Sequence, residues 1–305
     1  MTGPRGLAPE TTICALVVTH HPEPSFPSRL EAVARECGAA VVVDNGSNAS
    51  EIGMIEREAT RQGAHLIRNP SNLGLAAALN QGARWAFAQG HAFILVLDQD
   101  SEPMPGIADE LSSVYRLANA EQRTAIVGSN FIDKATRQPR IRNVQRTGSE
   151  WTPRRTVIMS GSLIEREAFE AVGPFREEFF VDSVDHDFCL RARRLGFQVA
   201  ATVKPLMEHS LGAPTARRRL GITFVTSNHS ADRRYLATRN RTALAREYAL
   251  EEPRWVAASV YSLLKETLVV LLVEDERAAK VKSMLLGAWH GLRGRLGPIA
   301  VGVAR

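Results

Sequence analysis

Two aspartates separated by one residue close an apolar run of this sequence. The run "FILVLD" covers residues 93–98, and Gln99 stands between Asp98 and Asp100. Alternate residues of an extended chain face the same side, so both carboxylates point the same way. Carboxylates at the end of a buried strand need a cation, a hydroxyl or water as partner. A divalent metal shared with substrate phosphates fits this need, and an acidic turn before the next helix is the alternative.

Similar apolar runs alternate with helical patterns along the first half of the chain. The runs cover residues 13–19, 39–44 and 124–131, and the helical patterns between the strands end at Gly38, Gly63 and Gly90. This alternation predicts an α/β fold with a parallel sheet covered by helices on both faces. Ligands of such sheets bind beyond the carboxyl ends of the strands. Asp44, Asp98 and Asp100 are therefore expected to meet at one edge.

Composition and charge narrow the function classes. The 305 residues are 44% hydrophobic and 23% charged, which predicts one large domain or a domain with an extension. The net charge of +5 is concentrated in the last third, in residues 215–221, 232–241 and 290–297. Tyr235 is the single aromatic residue in these three segments, and no zinc finger or RNP pattern appears, so small-ligand phosphates or anionic lipid headgroups are favoured over nucleic acid.

Cysteine usage and apolar runs predict the compartment. Three widely spaced cysteines, Cys14, Cys37 and Cys189, form no metal-binding pattern, which is typical of a reduced cytosolic protein. The first twelve residues do not resemble a secretory signal, and no run reaches 18 uninterrupted apolar residues. We therefore expect a cytoplasmic protein, soluble or peripheral on the inner face of the plasma membrane.

Five motifs in order resemble the family 2 glycosyltransferases. They are "ALVVTHHP", "VVVDNGSN", "RNPSNLGLAAALNQGARWA", "LVLDQD" and the block from "MSGSLIEREAF" to "HDFCLRARRLGF", and they extend from residue 13 to about residue 210. The resemblance implies a GT-A (Rossmann-like) nucleotide-sugar-binding domain with a mixed central sheet over residues 13–250. A flexible N-terminus, 1–12, and a C-terminal α-helical extension, 251–305, complete the expected organisation.

The resemblance assigns a donor and metal side to the expected site. It implies donor contacts from Thr19, Asp44, Asn72, Gly74 and Asp98, with Asp98 on either the ribose or the metal. From the residues alone, Asp44 could instead initiate the Asn-Gly turn beside it, and Asn72 with Gly74 could be an ordinary helix start. Asp100 is implied to bind Mg²⁺ or Mn²⁺. His209 is implied to be a third metal ligand or a diphosphate contact, although a lone histidine is more often structural.

An acceptor side is implied as well. Ser160, Gly161 and Ser162 would allow a sugar acceptor to approach the backbone, or would form a plain turn and helix start. The family places its catalytic base at Asp185, where many relatives carry a Glu-Asp pair and this chain has Val184-Asp185. Asp182 and Asp187 lie close by, and the helix dipole alone would favour them there. Arg239 and Asn240 could reach a diphosphate, but an exposed helical face is the plainer expectation.

The resemblance narrows furthest to the rhamnosyltransferase branch. The stretches "FFVDSVDHDFCLRARRLG", "MEHSLG" and "ATRNRTAL" carry it. We expect an inverting, metal-dependent enzyme that moves rhamnose from dTDP-rhamnose to a hydroxyl of a cell-surface glycan or lipid-linked acceptor. A QxxRW motif and several membrane spans, typical of processive synthases, are absent from this sequence, so single transfers are expected. The alternatives are a GT-A-like nucleotidyltransferase and a non-catalytic sugar-nucleotide or membrane-binding protein.

The segment after residue 252 predicts two helices. The first is strongly apolar but interrupted by Lys265-Glu266, so it is expected to pack or to lie at an interface rather than to span a membrane. Trp255, Trp289 and nearby bases would suit a membrane surface. A homodimer interface explains the apolar surface equally well, and both alternatives stay open on the sequence.

Overall fold

A computed structural model describes residues 12–134, 136–142, 148–209, 215–219, 222–226 and 228–298. The expected flexible segment 1–12 therefore lies, apart from Thr12, outside the described residues. Three parallel strands and the helices between them begin the fold. The strands are β1 (Ile13–Thr19), β2 (Ala40–Asn45) and β3 (His65–Asn69), and the helices are α1 (Phe26–Cys37), α2 (Ala49–Gln62) and α3 (Leu75–Ala88).

The chain then completes a mixed sheet. The remaining elements up to residue 209 are β4 (Phe93–Asp98), β5 (Glu102–Pro103), α4 (Ile107–Glu121), β6 (Thr124–Asp133), β7 (Gln138–Pro139), β8 (Trp151–Pro153), β9 (Ser162–Glu165), α5 (Arg166–Val172), α6 (Val184–Arg194) and β10 (Gln198–His209). The strand order is β3-β2-β1-β4-β9-β6-β10-β5. Strand β9 runs antiparallel to both β4 and β6, which makes the sheet mixed, as expected.

Alternate residues of the strands supply two cores, one on each face of the sheet. Cys14 and Leu16 of β1 pack with α3, α5 and α6. Ile13, Ala15 and Val17 pack on the opposite face with α1 and α4. This confirms the prediction of a sheet covered on both faces, because only such a strand is apolar at consecutive positions.

Two predictions of elements need correction. Strand β3 was missed because "HLIRN" is short and carries a polar residue at each end. The sequence "KPLMEH", with its proline, predicts a loop before His209, but β10 runs through it to His209 with register shifts on either side of Pro205. Residue 209 therefore ends a strand that pairs with β6, rather than lying in a free loop.

Helices complete the described chain after a small hairpin. Strands β11 (Thr215–Arg219) and β12 (Ile222–Thr226) pair with each other, and α7 (Ala231–Glu247), α8 (Pro253–Val273) and α9 (Arg277–Leu292) follow. This confirms the two expected helices after residue 252. Within the described residues, α8 is the helix that is long and apolar enough to cross a membrane.

Helix α9 packs closely against α7 through two glycines. A Cβ at Gly287 would lie 2.5 Å from the carbonyl oxygen of Tyr235, and one at Gly291 would lie 2.3 Å from that of Arg239. Such distances leave no room for a side chain. The two backbones are therefore in direct contact along one side of α9.

Candidate active site

Asp98, Asp100 and His209 converge at the carboxyl edge of the sheet. His209 Nε2 lies 4.0 Å from Asp98 Oδ2, and His209 Nδ1 lies 4.0 Å from Asp100 Oδ1. One ligand atom from each residue lies within 4.8 Å of the others. The aspartates are 40% and 46% exposed, while the imidazole is 7% exposed. The cluster therefore opens to solvent on its carboxylate side.

A crossing of the chain brings the aspartates to the histidine. Asp98 ends β4 and His209 ends β10, and β9 and β6 lie between these strands. The segment after Asp100 passes over the intervening strand ends and pairs as β5 with β10, where Glu102 faces Glu208. This two-residue pairing holds Asp100 beside His209. The pair of aspartates thus lies beside a histidine that is more than a hundred positions away in the sequence.

Two serines support the cluster from beneath. Ser101 Oγ lies 3.1 Å from His209 Nδ1 and 2.6 Å from Ser160 Oγ, and Ser160 Oγ accepts a hydrogen bond from the backbone N–H of Asp98 at 3.0 Å. Both hydroxyls are buried. When Ser101 accepts the Nδ1 proton, the lone pair of Nε2 faces Asp98, which is the arrangement that a metal ligand requires.

The same burial corrects the expected acceptor role of Ser160, Gly161 and Ser162. A Cβ at Gly161 would lie 2.7 Å from Met207 Sδ, and Ser162 Oγ donates to the carbonyl oxygen of Ile158. The three residues are buried under the sheet edge, and Ser162 begins a strand rather than a helix. The small side chains serve close packing below the aspartates and present no surface to an acceptor.

Neighbouring charges perturb the cluster. Burial, together with the charges of Asp100 and Asp185, raises the pKa of Asp98 to about 7, and Arg233 opposes the shift. The side chain is still 40% exposed, so surrounding water screens part of the effect of these charges. Burial also lowers the pKa of His209, against the pull of Asp100, and favours the neutral imidazole that binds metals.

The residues of the cluster fit a hard divalent cation. Ligands at about 2.1 Å from Mg²⁺ lie about 3 Å apart in adjacent positions and about 4.2 Å apart in opposite ones. One ligand atom from each of the three residues lies within 4.8 Å of the other two, which is slightly wider than this range. Carboxylate oxygens suit Mg²⁺ and Mn²⁺, and an imidazole is a common third ligand. Asp98, Asp100 and His209 can therefore hold such an ion with small side-chain movements.

Thr19 and Asp44 lie together at the ends of β1 and β2. Thr19 Oγ1 donates to Asp44 Oδ1 at 3.1 Å, and Asp44 Oδ2 accepts from the backbone N–H groups of Gly46 and Ser47. Asp44 therefore forms the Asn-Gly turn, which was the alternative to a donor contact. Both side chains are buried, and their contact with a donor stays a prediction.

Asn72 and Gly74 belong to an asparagine network before α3. Asn72 Oδ1 accepts from Gly74 N at 2.9 Å and from Asn45 Nδ2 at 3.0 Å, and Asn45 Nδ2 also donates to the carbonyl oxygen of Gly74. Gly74 has φ of +90°, and a Cβ there would lie 2.6 Å from the ring of Phe180. Only glycine fits this position. Asn45, which the sequence analysis did not select, is the buried centre of the network.

The start of α3 is already occupied by the chain itself. The carbonyl oxygen of Phe180 accepts from Leu75 N at 2.6 Å, and Gly74 N donates to Asn72. These two N–H groups are therefore not free to bind a ligand in this structure. A donor contact by Asn72 or Gly74 stays a prediction.

A strained loop leads from Phe180 into α6. Phe180, Asp182 and Ser183 have φ of 64°, 59° and 65°, a region that side chains other than glycine seldom adopt. Asn240 of α7 holds the loop, because its Nδ2 lies 2.9 Å, 2.7 Å and 2.9 Å from the carbonyl oxygens of Phe179, Val181 and Asp182. Strain of this kind persists only where surrounding contacts enforce it, and it clusters at functional sites.

Arg239 and Asn240 are the clearest failures of the sequence analysis. Both were expected on an exposed helical face, yet they are 2% and 0% exposed. Arg239 donates to the carbonyl oxygens of Glu178 and Gly297 and to Asn240 Oδ1. The two side chains thus join α7 to the loop before α6 rather than facing a ligand.

The three aspartates near the start of α6 differ in their surroundings. Asp187 is fully buried and lies 2.8 Å from Arg191 and 3.3 Å from Arg176, so it is a structural ion pair. Asp182 precedes the helix and lies 3.3 Å from Arg233 of α7. Asp185 is partly buried, and its Oδ1 accepts from the backbone N–H of His186 at 2.8 Å. Of these three aspartates, Asp185 is the one without an ion pair to a described residue, while Asp182 Oδ2 is buried without a hydrogen-bond partner.

Gln99 and Arg233 also belong to the site, although the sequence analysis did not select them. Gln99 accepts from His20 N at 2.8 Å and donates to the His20 carbonyl at 3.2 Å, so it ties the loop after β1 to the aspartate pair. Arg233 is the cation whose charge acts on Asp98. Its side chain is 48% exposed, which leaves it accessible at the carboxylate side of the cleft.

A mixed sheet with a candidate cation site at its carboxyl edge, and a separate carboxylate at a neighbouring helix start, is the arrangement expected of nucleotide-sugar-dependent glycosyltransferases. Comparison with known proteins agrees. The profile of glycosyl transferase family 2 matches residues 16–173. The dTDP-rhamnosyl transferase RfbF of Shigella flexneri is 30% identical over 300 residues, which are 94% of this chain and 97% of RfbF.

Solved structures share the fold at low sequence identity. S. aureus TarS 1–349 superposes with a TM-score of 0.60 at 15% identity, covering 93% of this chain and 82% of that one. This chain covers only 47% of a longer crystallised S. aureus TarS, at a TM-score of 0.56 and 14% identity. The mannosyltransferase PcManGT from Pyrobaculum calidifontis, in complex with GDP-Man and Mn²⁺, gives a TM-score of 0.55 at 16% identity, covering 96% and 91%.

The chain belongs to glycosyl transferase family 2. It is a glycosyltransferase that uses a nucleotide-sugar donor, and its relative over nearly the whole length is a rhamnosyltransferase.

Proposed function

We propose that the enzyme transfers rhamnose from dTDP-rhamnose, one residue at a time and with inversion, to a hydroxyl of a cell-surface glycan or lipid-linked acceptor. The reaction would take place on the cytoplasmic side of the plasma membrane. The proposal of dTDP-rhamnose as the donor rests on the 30% identity to a dTDP-rhamnosyl transferase over 94% of this chain. Such coverage includes the β1, β2 and α3 edge, where the base and ribose would lie.

Asp98, Asp100 and His209 are proposed to hold Mg²⁺ or Mn²⁺. When bound, the cation would neutralise the charge of the departing nucleoside diphosphate. Two contacts within the chain position these ligands. Ser101 can accept the Nδ1 proton of His209, which would leave the Nε2 lone pair towards Asp98, and the β5 pairing keeps Asp100 near His209. Arg233, on the same side of the cleft, adds a positive charge that a diphosphate would meet.

Asp185 is proposed as the general base. Inversion needs a carboxylate that faces the acceptor hydroxyl across from the leaving group and is free of metal. Asp98 and Asp100 are committed to the cation, Asp187 is a buried ion pair and Asp182 is paired with Arg233. The helix start fixes one oxygen of Asp185 through His186 N and leaves the second oxygen to take the proton. No other side chain of this loop has a carboxylate so placed.

A panel of nucleotide sugars tests the donor. Thermal unfolding with dTDP-rhamnose, dTDP-glucose, UDP-glucose and GDP-mannose, each with Mn²⁺ or EDTA, measures which ligand stabilises the folded state. We expect the largest increase in Tm for dTDP-rhamnose with Mn²⁺. Release of dTDP in the presence of a lipid-linked glycan acceptor then measures transfer. A larger increase in Tm with UDP-glucose or GDP-mannose would contradict dTDP-rhamnose as the donor. Binding of the donor without any release of dTDP would indicate a non-catalytic binding protein.

A further inference from the structure

Helix α8 presents a long apolar stripe to solvent. Tyr261, Leu264, Leu268 and Leu271 recur at helical spacing and are 70%, 66%, 54% and 48% exposed. Only 17% of the most apolar stretch of the helix is buried. Scattered exposed leucines are ordinary, but a stripe that follows one helix face over three turns indicates a binding surface.

The opposite face of α8 is fixed to the protein. Glu266 lies 2.8 Å from Arg241 and 3.5 Å from Arg234 of α7, and Val270 is 0% exposed. Crossing a membrane would break these ion pairs and place their charges in hydrocarbon. The helix is therefore suited to lie along a surface with its apolar stripe outward, not to span a bilayer.

The charges around the stripe select its partner. The exposed basic residues of the described segment 253–298 are Arg254, Lys265, Arg277, Lys282, Arg293 and Arg295. Its exposed acidic residues are Asp275 and Glu276 at the turn between α8 and α9, and Asp275 is already paired with Arg217. Lys265 stands within the stripe, beside Leu264. A second copy of this surface would bring like charges together, whereas anionic headgroups would meet a surface of opposite charge.

We propose that the outward face of α8 docks the enzyme on an anionic lipid membrane. The leucines and Tyr261 enter the boundary between headgroups and acyl chains, and Lys265 extends its ammonium group back to the phosphates. On α9, the guanidinium of Arg293 lies 3.8 Å above the ring of Trp289, which is 49% exposed, so an aromatic and basic pair is available on the same helical hairpin. This inference does not depend on the identity of the donor sugar.

Vesicle sedimentation tests the proposal on the full chain. Vesicles of phosphatidylcholine with one third phosphatidylglycerol are compared with vesicles of phosphatidylcholine alone, at low and high salt. We expect binding to the anionic vesicles only, weakened by salt. Leu264→Glu, Leu268→Glu and Lys265→Glu should each weaken it by on the order of tenfold. The matched control is Leu117→Glu, which changes a leucine that is 45% exposed on α4, and it should bind like the wild type.

Three results would overturn the proposal. One is binding that ignores the lipid charge, and another is anionic binding that survives all three α8 variants while their circular dichroism shows a folded chain. The third is absence of vesicle binding. In that case analytical ultracentrifugation would measure whether the chain forms a dimer instead. A dimer that Leu264→Glu dissociates would assign the stripe to a second copy. Calorimetry of dTDP binding to the same variants separates this outcome from failure of the donor proposal, because the stripe lies outside the donor site.

Discussion

Asn240 and Asp182 are joined by a hydrogen bond of 2.9 Å from the side-chain amide of one to the backbone carbonyl of the other. The same amide also reaches the carbonyl oxygens of Phe179 and Val181. A side chain of α7 thus holds the loop that contains the three left-handed residues before Asp185. The position of the proposed base is determined by a helix far beyond it in the sequence.

Replacing Asn240 by Ala should therefore impair turnover more than folding alone explains. Three buried carbonyls lose a donor, so we expect a loss of about 1–3 kcal/mol in the free energy of unfolding. The loosened loop should lower kcat by roughly ten- to a hundredfold while dTDP affinity is retained. The matched control is Asn80→Ala, because Asn80 is equally buried and holds the carbonyl of Phe175. Equal loss of kcat in both variants at equal stability would contradict a positioning role.

Asp185→Asn should remove the chemistry without removing the donor. The amide keeps the size of the side chain but does not accept the proton, so we expect single-turnover transfer to fall by roughly two to four orders of magnitude. Calorimetry should show unchanged dTDP binding. Asp182→Asn keeps its backbone contact with Asn240 and should retain most activity. If Asp182→Asn is inactive and Asp185→Asn is not, the base has to be reassigned.

Asp187→Asn should behave differently from both. Its carboxylate is fully buried beside Arg176 and Arg191, whose side chains are 25% and 17% exposed, and the substitution removes the charge that they share. We expect a loss of about 1–3 kcal/mol in the free energy of unfolding. Chemical denaturation measures it. An unchanged midpoint with reduced transfer would instead give Asp187 a direct part in the reaction.

Removal of the metal should weaken donor binding through named side chains. EDTA, Asp100→Ala and His209→Gln should each abolish the Mn²⁺-dependent part of dTDP binding, since a diphosphate beside unscreened carboxylates is repelled. Asp109→Asn, on the exposed first turn of α4, is the control and should bind dTDP as the wild type does. Calorimetry with and without Mn²⁺ separates these outcomes. Metal-independent binding of equal strength in all variants would disprove the metal site.

The helical packing should fail on acidification through Glu274. Burial tends to raise the pKa of this carboxyl, but its bonds with Thr226 and Lys280 and the charge of Arg234 hold it below the ordinary value of 4.5. A group whose pKa is lower in the folded state stabilises the protein above its unfolded pKa and loses this contribution as the pH falls. We expect Tm to drop below about pH 4.5 in the wild type and to depend less on pH in Glu274→Gln. If Tm falls with pH in the same way in both proteins, Glu274 is not the cause of the acid loss of stability.

The contact of α9 with α7 should not tolerate a methyl group. Gly291→Ala places a Cβ 2.3 Å from the carbonyl oxygen of Arg239, so we expect a loss of about 1–3 kcal/mol of stability despite the higher helix propensity of alanine. Gly53→Ala is the control within α2, where the nearest atom is the end of the Arg57 side chain at 3.4 Å. That variant should gain up to about 1 kcal/mol. Thermal denaturation compares the two, and a stabilised Gly291→Ala would show that the helices separate readily.

The local parts of the site could be predicted from sequence, and the long-range parts could not. Asp98 and Asp100 could be selected because they end an apolar run and are two positions apart, so their side chains face the same side of the strand. Both features depend only on neighbouring residues. His209 came only from the family resemblance, because its place depends on β10 continuing through Pro205 and on the β5 crossing. Asn240 was misjudged for a different reason. A polar residue on a helix is expected to face solvent. Its burial can be predicted only when its hydrogen-bond partner is known, and here that partner is a strained loop distant in sequence.

The hold of Asn240 on the loop has a consequence for the order in which the enzyme becomes active during synthesis. Asn240 and the carbonyl of Val181 are 59 positions apart, while Asp98, Asp100 and His209 are all present once residue 209 has been made. The last of these ligands is therefore synthesised before α7. The loop of Asp185 gains its side-chain support only after α7 has also been made, so transfer activity requires the chain through α7.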